Sequence, residues 1–206
     1  MLPGPSLIIN CPNCGSEKKL LSLLSGNTFG AKSWSDTKQE APMLPRLSVV
    51  QKCPHCGHYF MLPDEKPRYS KTNDYTMDTG DLPFEEMKAA FLLLKNEVVG
   101  TDKELALRLS FFHSFNDAFR FEEKDLRNKV DWDLHKSNLL ATVPLLKKQG
   151  EDSIPVIAEF YREAEEYQRC LDVLDSYIQS NDFLNAVCDE IRMRAKNSDP
   201  IVFEIK

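Results

Sequence analysis

The chain lacks any run of about 18 consecutive apolar residues, the length that a helix needs to cross a bilayer, so no membrane-spanning helix is expected. Its first residues, MLPGPSLII, contain no positive charge and only a short apolar run, so a secretory signal peptide is not expected either. These absences make a cytoplasmic location the expectation. The cysteines agree with it, because they occur in close pairs rather than as a spaced disulfide framework.

The sequence also has little positive charge, and its formal net charge is −6. Residues 1–80 carry nine Lys and Arg against seven Asp and Glu, whereas residues 81–206 carry seventeen against twenty-five. Proteins that bind nucleic acid non-specifically usually have a stronger basic excess. No Gly-rich phosphate loop or pattern of a catalytic nucleophile is present, so the sequence predicts a protein that is not an enzyme.

Two short strings carry the strongest signal, CPNCG at residues 11–15 and CPHCG at residues 53–57. Each string places two thiols on one tight turn, and two such turns supply the four ligands of a tetrahedral metal site. We therefore predict one structural Zn²⁺ bound by Cys11, Cys14, Cys53 and Cys56, because four thiolates leave no coordination position open for catalysis. A rubredoxin-like iron site is the alternative, since tetrahedral four-sulfur sites suit both metals.

The composition changes near residue 80. Short apolar segments at residues 6–10, 20–24, 47–51 and 58–62 predict a strand before and after each cysteine turn. Residues 1–62 are therefore predicted to form a zinc ribbon, which the metal must stabilise because the piece is too small for a large core. Residues 63–82 are polar and contain proline, which predicts a linker or a surface strap.

From residue 83 the apolar residues recur at three- and four-residue spacing, which predicts about six helices in residues 83–206. Pro144 predicts a break or a kink in the third helix, and the final IVFEI predicts a short strand or an extended arm. With the ribbon, these helices make the expected fold class α+β. The dense phenylalanines near residues 111–121 and the lone Cys170 and Cys188 are expected in the core, and the acidic run 163–166 is expected to be solvated. His113 and His135 have no evident partner.

The loop between the cysteine turns, residues 25–45, is longer than in compact ribbons and contains two Gly, one Trp and one Phe. One interpretation is a recognition loop on a metal-fixed scaffold, with Trp34 and Lys32 as partner-binding residues. The alternative is that Phe29, Trp34 and Met43 pack a small core or dock on the helices.

Two helices in residues 153–180 resemble one tetratricopeptide repeat. The pattern consists of Ile154, Ile157, Ala158 and Tyr161, followed by Tyr167, Cys170, Leu171 and Leu174. Ala158 and Cys170 occupy the small positions at which the helices of that family cross closely. The chain departs from the family because no proline ends the second helix and cysteine replaces the usual alanine.

The cysteine turns, the SGNTFGAKSWSD loop, the PMLP turn and the late helices together resemble a group of bacterial proteins of unknown function. In that group an N-terminal zinc ribbon precedes a tetratricopeptide-like helical domain, and the chain is also similar, more loosely, to the DUF2225 group. The resemblance implies the fold and the metal, and it supplies no catalytic residues.

The predicted function is that of an intracellular adaptor or scaffold whose helical domain binds a protein or peptide partner. The alternative is a nucleic-acid-binding zinc ribbon with a regulatory helical domain, in which aromatic residues interleave with Lys32, Lys38, Arg46 and Lys52. A contiguous basic face around these residues favours nucleic acid, whereas scattered lysines favour a protein partner.

Overall fold

In a computed structural model of the chain, the described residues are 1–64, 68–71, 74–120, 128–177 and 182–206. They form short antiparallel strands in the N-terminal part and α-helices in the C-terminal part, which confirms the predicted α+β class. The chain divides into two compact units. Unit 1 comprises Met1–Ala31 and Glu40–Phe111, and unit 2 comprises Lys32–Gln39 and Phe112–Lys206.

The strands are short and pair with antiparallel neighbours. They are β1 (Leu2–Pro3), β2 (Leu7–Asn10), β3 (Glu17–Leu20), β4 (Leu23–Ser25), β5 (Lys32–Trp34), β6 (Gln39–Glu40), β7 (Val50–Lys52), β8 (Tyr59–Met61), β9 (Arg68–Tyr69) and β10 (Glu204–Ile205). In unit 1, β1 pairs with β4, β2 lies between β3 and β9, and β7 pairs with β8. The strands predicted around the two cysteine turns are confirmed, although the segment at 20–24 is divided between β3 and β4.

The described part of residues 63–82 lies along the strands of unit 1. β9 pairs with β2, and the Ser6 amide donates to the carbonyl of Asp74 at 3.1 Å. Further along, the Leu21 amide donates to the carbonyl of Asp78 at 2.7 Å. These main-chain bonds attach the segment to the ribbon as a strap.

Six α-helices follow within the described residues. They are α1 (Phe84–Leu94), α2 (Lys103–Arg120), α3 (Lys129–Lys147), α4 (Ile154–Glu163), α5 (Tyr167–Asp175) and α6 (Asp182–Lys196). α3 continues past Pro144 to Lys147, so the predicted break does not occur. Proline removes only one main-chain donor, and the other hydrogen bonds of the helix are sufficient to maintain it. The second helix of the pair predicted in residues 153–180 ends earlier than expected, at Asp175, and residues 178–180 lie outside the described residues.

Unit 1 includes α1 as well as the strands. α1 packs against β8, and its buried face consists of Met87, Ala90, Phe91 and Leu94. The ring of Phe91 stacks on that of Phe111, with 4.5 Å between centroids. Because this apolar face needs the strands beside it, unit 1 extends beyond the predicted ribbon range of 1–62.

Unit 2 is built around α4, which packs against α3, α5 and α6. Ala158, Cys170 and Cys188 are fully buried in one apolar cluster that also contains Phe203. The predicted C-terminal strand is confirmed as β10, which pairs with β5 so that Glu204 lies opposite Trp34. Residues 32–39 therefore complete unit 2, although they belong to the loop between the two cysteine turns.

No described helix is long and apolar enough to cross a membrane.

Candidate metal centre

The two cysteine turns have the same main-chain pattern. In the first, the Cys11 amide donates to the carbonyl of Ser16 at 2.9 Å, and the Gly15 amide donates to the carbonyl of Cys11 at 2.9 Å. In the second, the equivalent bonds run from Cys53 to His58 at 2.9 Å and from Gly57 to Cys53 at 3.0 Å. Both glycines have positive φ, +74° and +73°, which favours glycine over residues with a Cβ.

Each turn closes a hairpin. Asn10 pairs with Glu17 across the first turn, and Lys52 pairs with Tyr59 across the second. An apolar cluster supports both turns, and its buried members are Leu7, Ile9, Cys11, Leu20, Cys53 and Phe60. The hairpin register and this cluster fix the direction in which the four thiols project.

The four sulfur atoms converge on one point. The ligand atoms of Cys11, Cys14, Cys53 and Cys56 all lie within 4.8 Å of one another. The Sγ atoms of Cys11 and Cys56 are 3.8 Å apart, and those of Cys14 and Cys53 are 3.6 Å apart. A tetrahedral centre with metal–sulfur bonds of about 2.3 Å has sulfur–sulfur separations of about 3.8 Å. The cluster therefore fits a four-coordinate metal ion, and zinc is compatible with it.

The thiols divide into an inner and an outer pair. Cys11 and Cys53 are buried, and Cys14 and Cys56 are exposed. Burial raises the pKa of Cys11 to about 11. A hydrogen bond from the Ser16 hydroxyl, 3.0 Å from the Cys14 sulfur, lowers the pKa of Cys14 to about 6. Side-chain donors thus favour the thiolates of Cys14 and Cys56, whereas the buried Cys11 thiol needs the positive charge of a bound ion to ionise near neutral pH.

The Asn13 side chain links the two turns. Its Nδ2 atom lies 3.6 Å from the Cys56 sulfur, and this hydrogen bond lowers the pKa of the Cys56 thiol. The two histidines near the second turn do not belong to the group of possible metal ligands. His55 and His58 are both exposed, and among the described residues only the four cysteines form a group that could hold a metal.

The structure places Lys32 and Trp34 in unit 2, whereas the cysteine turns belong to unit 1. The Trp34 side chain is 6% exposed, with the Arg120 guanidinium 5.5 Å from its ring centroid. The Lys32 ammonium pairs with the Glu204 carboxylate at 3.2 Å. The indole of Trp34 therefore packs in unit 2, as the core-packing alternative expects, and a partner could reach it only by displacing its neighbours. Phe29 differs, because it is 83% exposed.

Sequence reasoning missed a second cluster, which is polar and buried in unit 2. Glu163 was expected to be solvated with its acidic neighbours, but it is 1% exposed, so that expectation is wrong. His135 was expected to have no partner, yet its Nε2 atom lies 3.6 Å from Oε2 of Glu163. No local pattern could have shown these contacts, because some partners, such as Asp36 and Asn116, are 80 positions apart.

The expectations for the remaining cysteines and the central phenylalanines are confirmed. Cys170 and Cys188 are fully buried, and so are Phe111, Phe112 and Phe115. Phe119 is half-buried, and Phe121 lies outside the described residues.

Comparison of the chain with known proteins adds no relative. No family model, no curated protein and no solved structure matches it.

Proposed function

We propose that the four cysteines hold one structural zinc ion and that the protein acts as a binding protein rather than as an enzyme. One observation carries this proposal: the four sulfurs all lie within 4.8 Å of one another, and two of their separations, 3.8 Å and 3.6 Å, are those of a tetrahedral four-sulfur site. A zinc ion with four thiolate ligands has no open position at which to activate water, whereas catalytic zinc keeps one. Iron in the same four-sulfur site is the alternative. The metal content of the purified protein distinguishes iron from zinc.

The partner surface that we propose is apolar and lies in unit 1. It consists of the exposed side chains Leu2, Leu24, Phe29, Met43 and Leu44. The segments that carry it are joined by the pairing of β1 with β4 and by the Asn27 amide, which donates to the carbonyl of Met43 at 3.3 Å. Exposed clusters of large apolar side chains commonly mark protein interaction sites.

The charge distribution favours a protein partner over nucleic acid. Residues 20–31 and 41–45, which carry most of this apolar surface, contain no charged side chain. Several lysines are paired with acids: in unit 1, Lys19 with Asp74 and Lys52 with Glu86, and in unit 2, Lys32 with Glu204 and Lys38 with Asp117. Lysines neutralised in this way attract phosphate groups weakly, because the neighbouring carboxylates repel them.

The helix pair α4–α5 supports a tetratricopeptide-like reading of unit 2. Ala158 and Cys170, the residues at the two small positions, are both fully buried, and α4 packs against α5. We propose that these helices provide a second binding surface, for a protein or peptide, so that the chain acts as an adaptor.

The metal is tested by elemental analysis of the full-length protein made in cells supplied with both zinc and iron. We expect one zinc per chain, loss of the metal in Cys53→Ser, and retention of one zinc in the matched control Cys170→Ser. Iron in place of zinc would overturn the assignment of the metal, and absence of any metal would overturn the centre itself.

The partner surface is tested by placing a photo-reactive phenylalanine analogue at Phe29 in the native cell. We expect a cross-linked protein that disappears when Leu24→Ser is added. The same analogue at Phe183, which is 59% exposed on α6 in unit 2, serves as the control and is expected to give no such product. Nucleic acid cross-linked at position 29, or micromolar binding of DNA or RNA at low salt, would replace the protein partner with the alternative.

A further inference from the structure

Three carboxylates and two guanidiniums in the interior of unit 2 are unusually well buried. The three carboxylates are Asp36, Glu159 and Glu163, and the two guanidiniums are Arg120 and Arg162; each of these side chains is 0–1% exposed. Charges this deep in a protein are costly unless each has a partner of opposite sign. A carboxylate in this group that has no guanidinium partner is therefore expected to be stable only when a proton neutralises its charge.

Two of the carboxylates have their own guanidinium. Arg120 forms an ion pair with Asp36. Arg162 binds Glu159 through two nitrogens, at 2.7 Å and 2.6 Å. Glu163 is left as the third carboxylate, since the nearest Arg162 nitrogen is 3.8 Å from its Oε1 atom, beyond hydrogen-bonding distance.

Besides the carboxylate of Glu159, the group that faces Glu163 is His135. Its Nε2 atom lies 3.6 Å from Oε2 of Glu163, and its fully buried ring stacks on Phe115 with 3.7 Å between centroids. Three carboxylates and two guanidiniums leave one negative charge in excess. One proton on either His135 or Glu163 brings the sum to zero, either as an imidazolium–carboxylate pair or as two neutral groups.

The same cluster holds the segment 32–39 to unit 2. The side-chain amide of Asn116 donates to Oε2 of Glu163 at 2.9 Å and to Oδ2 of Asp36 at 3.0 Å. One amide thus bridges the carboxyl group of α4 and that of the segment. A negative charge on Glu163 therefore repels the carboxylate of Asp36, since only the Asn116 amide separates the two groups.

We propose that Glu163 and His135 hold one proton between them at neutral pH, and that loss of this proton weakens the attachment of residues 32–39 to unit 2. Deprotonation leaves an uncompensated negative charge beside Asp36 and Glu159. Because little water reaches the site, the charge is screened poorly.

Other ionisable groups of unit 2 lie on the elements that flank the pair: His113 and Asp117 on α2, Lys38 on the segment, Asp131 on α3, and Arg194 and Asp199 at the end of α6 and beyond. Those that are paired with an opposite charge do not change this count. Lys38 pairs with Asp117, and Arg194 pairs with Asp199, so both pairs are neutral. His113 contacts the main-chain carbonyl of Asp36 at 3.0 Å. Burial raises the pKa of the Glu163 carboxyl well above its ordinary value, which is the direction that proton retention requires.

The sign of the effect follows from counting protons in the folded and unfolded chains. In the unfolded chain, the glutamate loses its proton near pH 4.3 and the histidine near pH 6.5. Above about pH 6.5, neither side chain of the unfolded chain therefore carries the proton. The folded pair still holds one at that pH. The folded state therefore loses stability as the pH rises above about 6.5, and the unfolding constant increases by up to about tenfold per pH unit until the pair deprotonates.

The test is urea unfolding of the full-length protein between pH 5.5 and pH 9. Trp34 and Trp132, the two tryptophans of the chain, both lie in unit 2, so their fluorescence reports on that unit. In wild type we expect the unfolding constant to rise with pH above about 6.5. Glu163→Gln keeps an acceptor for Asn116 and removes the ionisation, so its constant should not rise over that range. In His135→Gln the constant should already rise at pH 5.5, because the unfolded glutamate loses its proton near pH 4.3 and no histidine offsets that loss.

Glu190→Gln on α6 is the matched control and should follow wild type, since Glu190 lies near the surface and pairs with Arg194. All the variants keep the four cysteines, so any pH dependence of the metal centre cancels in the comparison. An equal pH dependence in wild type and Glu163→Gln would overturn the proposal.

Two measurements keep the test decisive if a variant does not fold. In the nuclear magnetic resonance spectrum of wild type, the His135 ring should show no titration midpoint near pH 6.5, and an ordinary midpoint there would overturn the shared proton. Hydrogen exchange at the Ser35 amide, which donates to the carbonyl of Phe203 at 2.9 Å, reports on the segment. After correction for the intrinsic rate, its protection should fall between pH 7 and pH 9, and unchanged protection would overturn the link to residues 32–39.

Discussion

Gly80 lies directly against the buried side-chain amide of Gln51. A Cβ atom built on Gly80 would come within 2.2 Å of both Nε2 and Oε1 of that amide. Gln51 is fully buried, and its Nε2 atom donates to the carbonyl of Ser48 at 2.6 Å. Because Gln51 lies in β7, two residues before Cys53, this contact fixes the strap to the strand that enters the second cysteine turn.

Gly80→Ala is expected to destabilise unit 1 by about 3 kcal/mol, since the methyl group meets Gln51 and φ of Gly80 is +79°. Gly100→Ala is the control for the main-chain strain alone, because Gly100 has φ +77° and nothing within 4 Å of its added Cβ. It should cost about 1 kcal/mol. Thermal unfolding of both variants checks this, and equal losses would show that Gln51 moves aside freely.

The six cysteines should fall into two reactivity classes. Burial raises the pKa of Cys170 to about 12 and also raises that of Cys188, so both remain protonated and unreactive at pH 8. With a chromogenic disulfide reagent, we expect slow reaction of the metal-loaded protein, four reactive thiols after chelation, and all six in denaturant. Six thiols reacting immediately after chelation would show that unit 2 opens when the metal leaves.

Removing the guanidinium of Arg162 should cost more than removing its ion pair. Arg162→Met leaves Glu159 buried without its cation, so we expect a loss of about 3–5 kcal/mol in the free energy of unfolding. The double variant Glu159→Gln, Arg162→Met removes both charges and should recover part of that loss. Arg169→Met, at a mostly exposed arginine on α5, is the control and should change stability by about 0.5 kcal/mol or less. A double variant no more stable than Arg162→Met would contradict the argument.

Phe203 should be important for stability, although it lies near the end of the chain. It is 7% exposed in the apolar cluster of unit 2, and the Arg194 guanidinium lies 4.4 Å from its ring centroid. Phe203→Ala is expected to destabilise unit 2 by about 3–5 kcal/mol. Phe183→Ala removes a ring that is 59% exposed, and should cost about 0.5 kcal/mol or less. Tryptophan fluorescence in urea measures both.

The features that the sequence predicted correctly are those with a local pattern. The CPxCG strings specified tight turns with glycine at positive φ, and alternating or helical spacing of apolar residues located the strands and helices around them. Ala158 and Cys170 were recognised as small positions from their offsets within two adjacent helices. In each case, the residues that interact are close in sequence, so their spacing carries the information.

The features that escaped prediction depend on contacts between distant parts of the chain. Packing of Trp34 against the helices was one of two interpretations, but nothing in its segment predicted the pairing with Glu204, and Glu163 resembled a member of a solvated acidic run. Burial of Glu163 is favourable only because Asn116, His135 and Arg162 surround it. Without the fold, no rule of spacing distinguishes such a carboxylate from an exposed one.

The membership of residues 32–39 in unit 2 has a consequence for the order of folding during synthesis. The Phe203 amide donates to the Ser35 hydroxyl across 168 positions, so this unit cannot close until residue 203 has left the ribosome. The cysteine turns, separated by far fewer residues, can bind their ion much earlier. A fragment of residues 112–206 alone lacks β5 and Trp34, and is therefore expected to expose the side of the helical core that they cover.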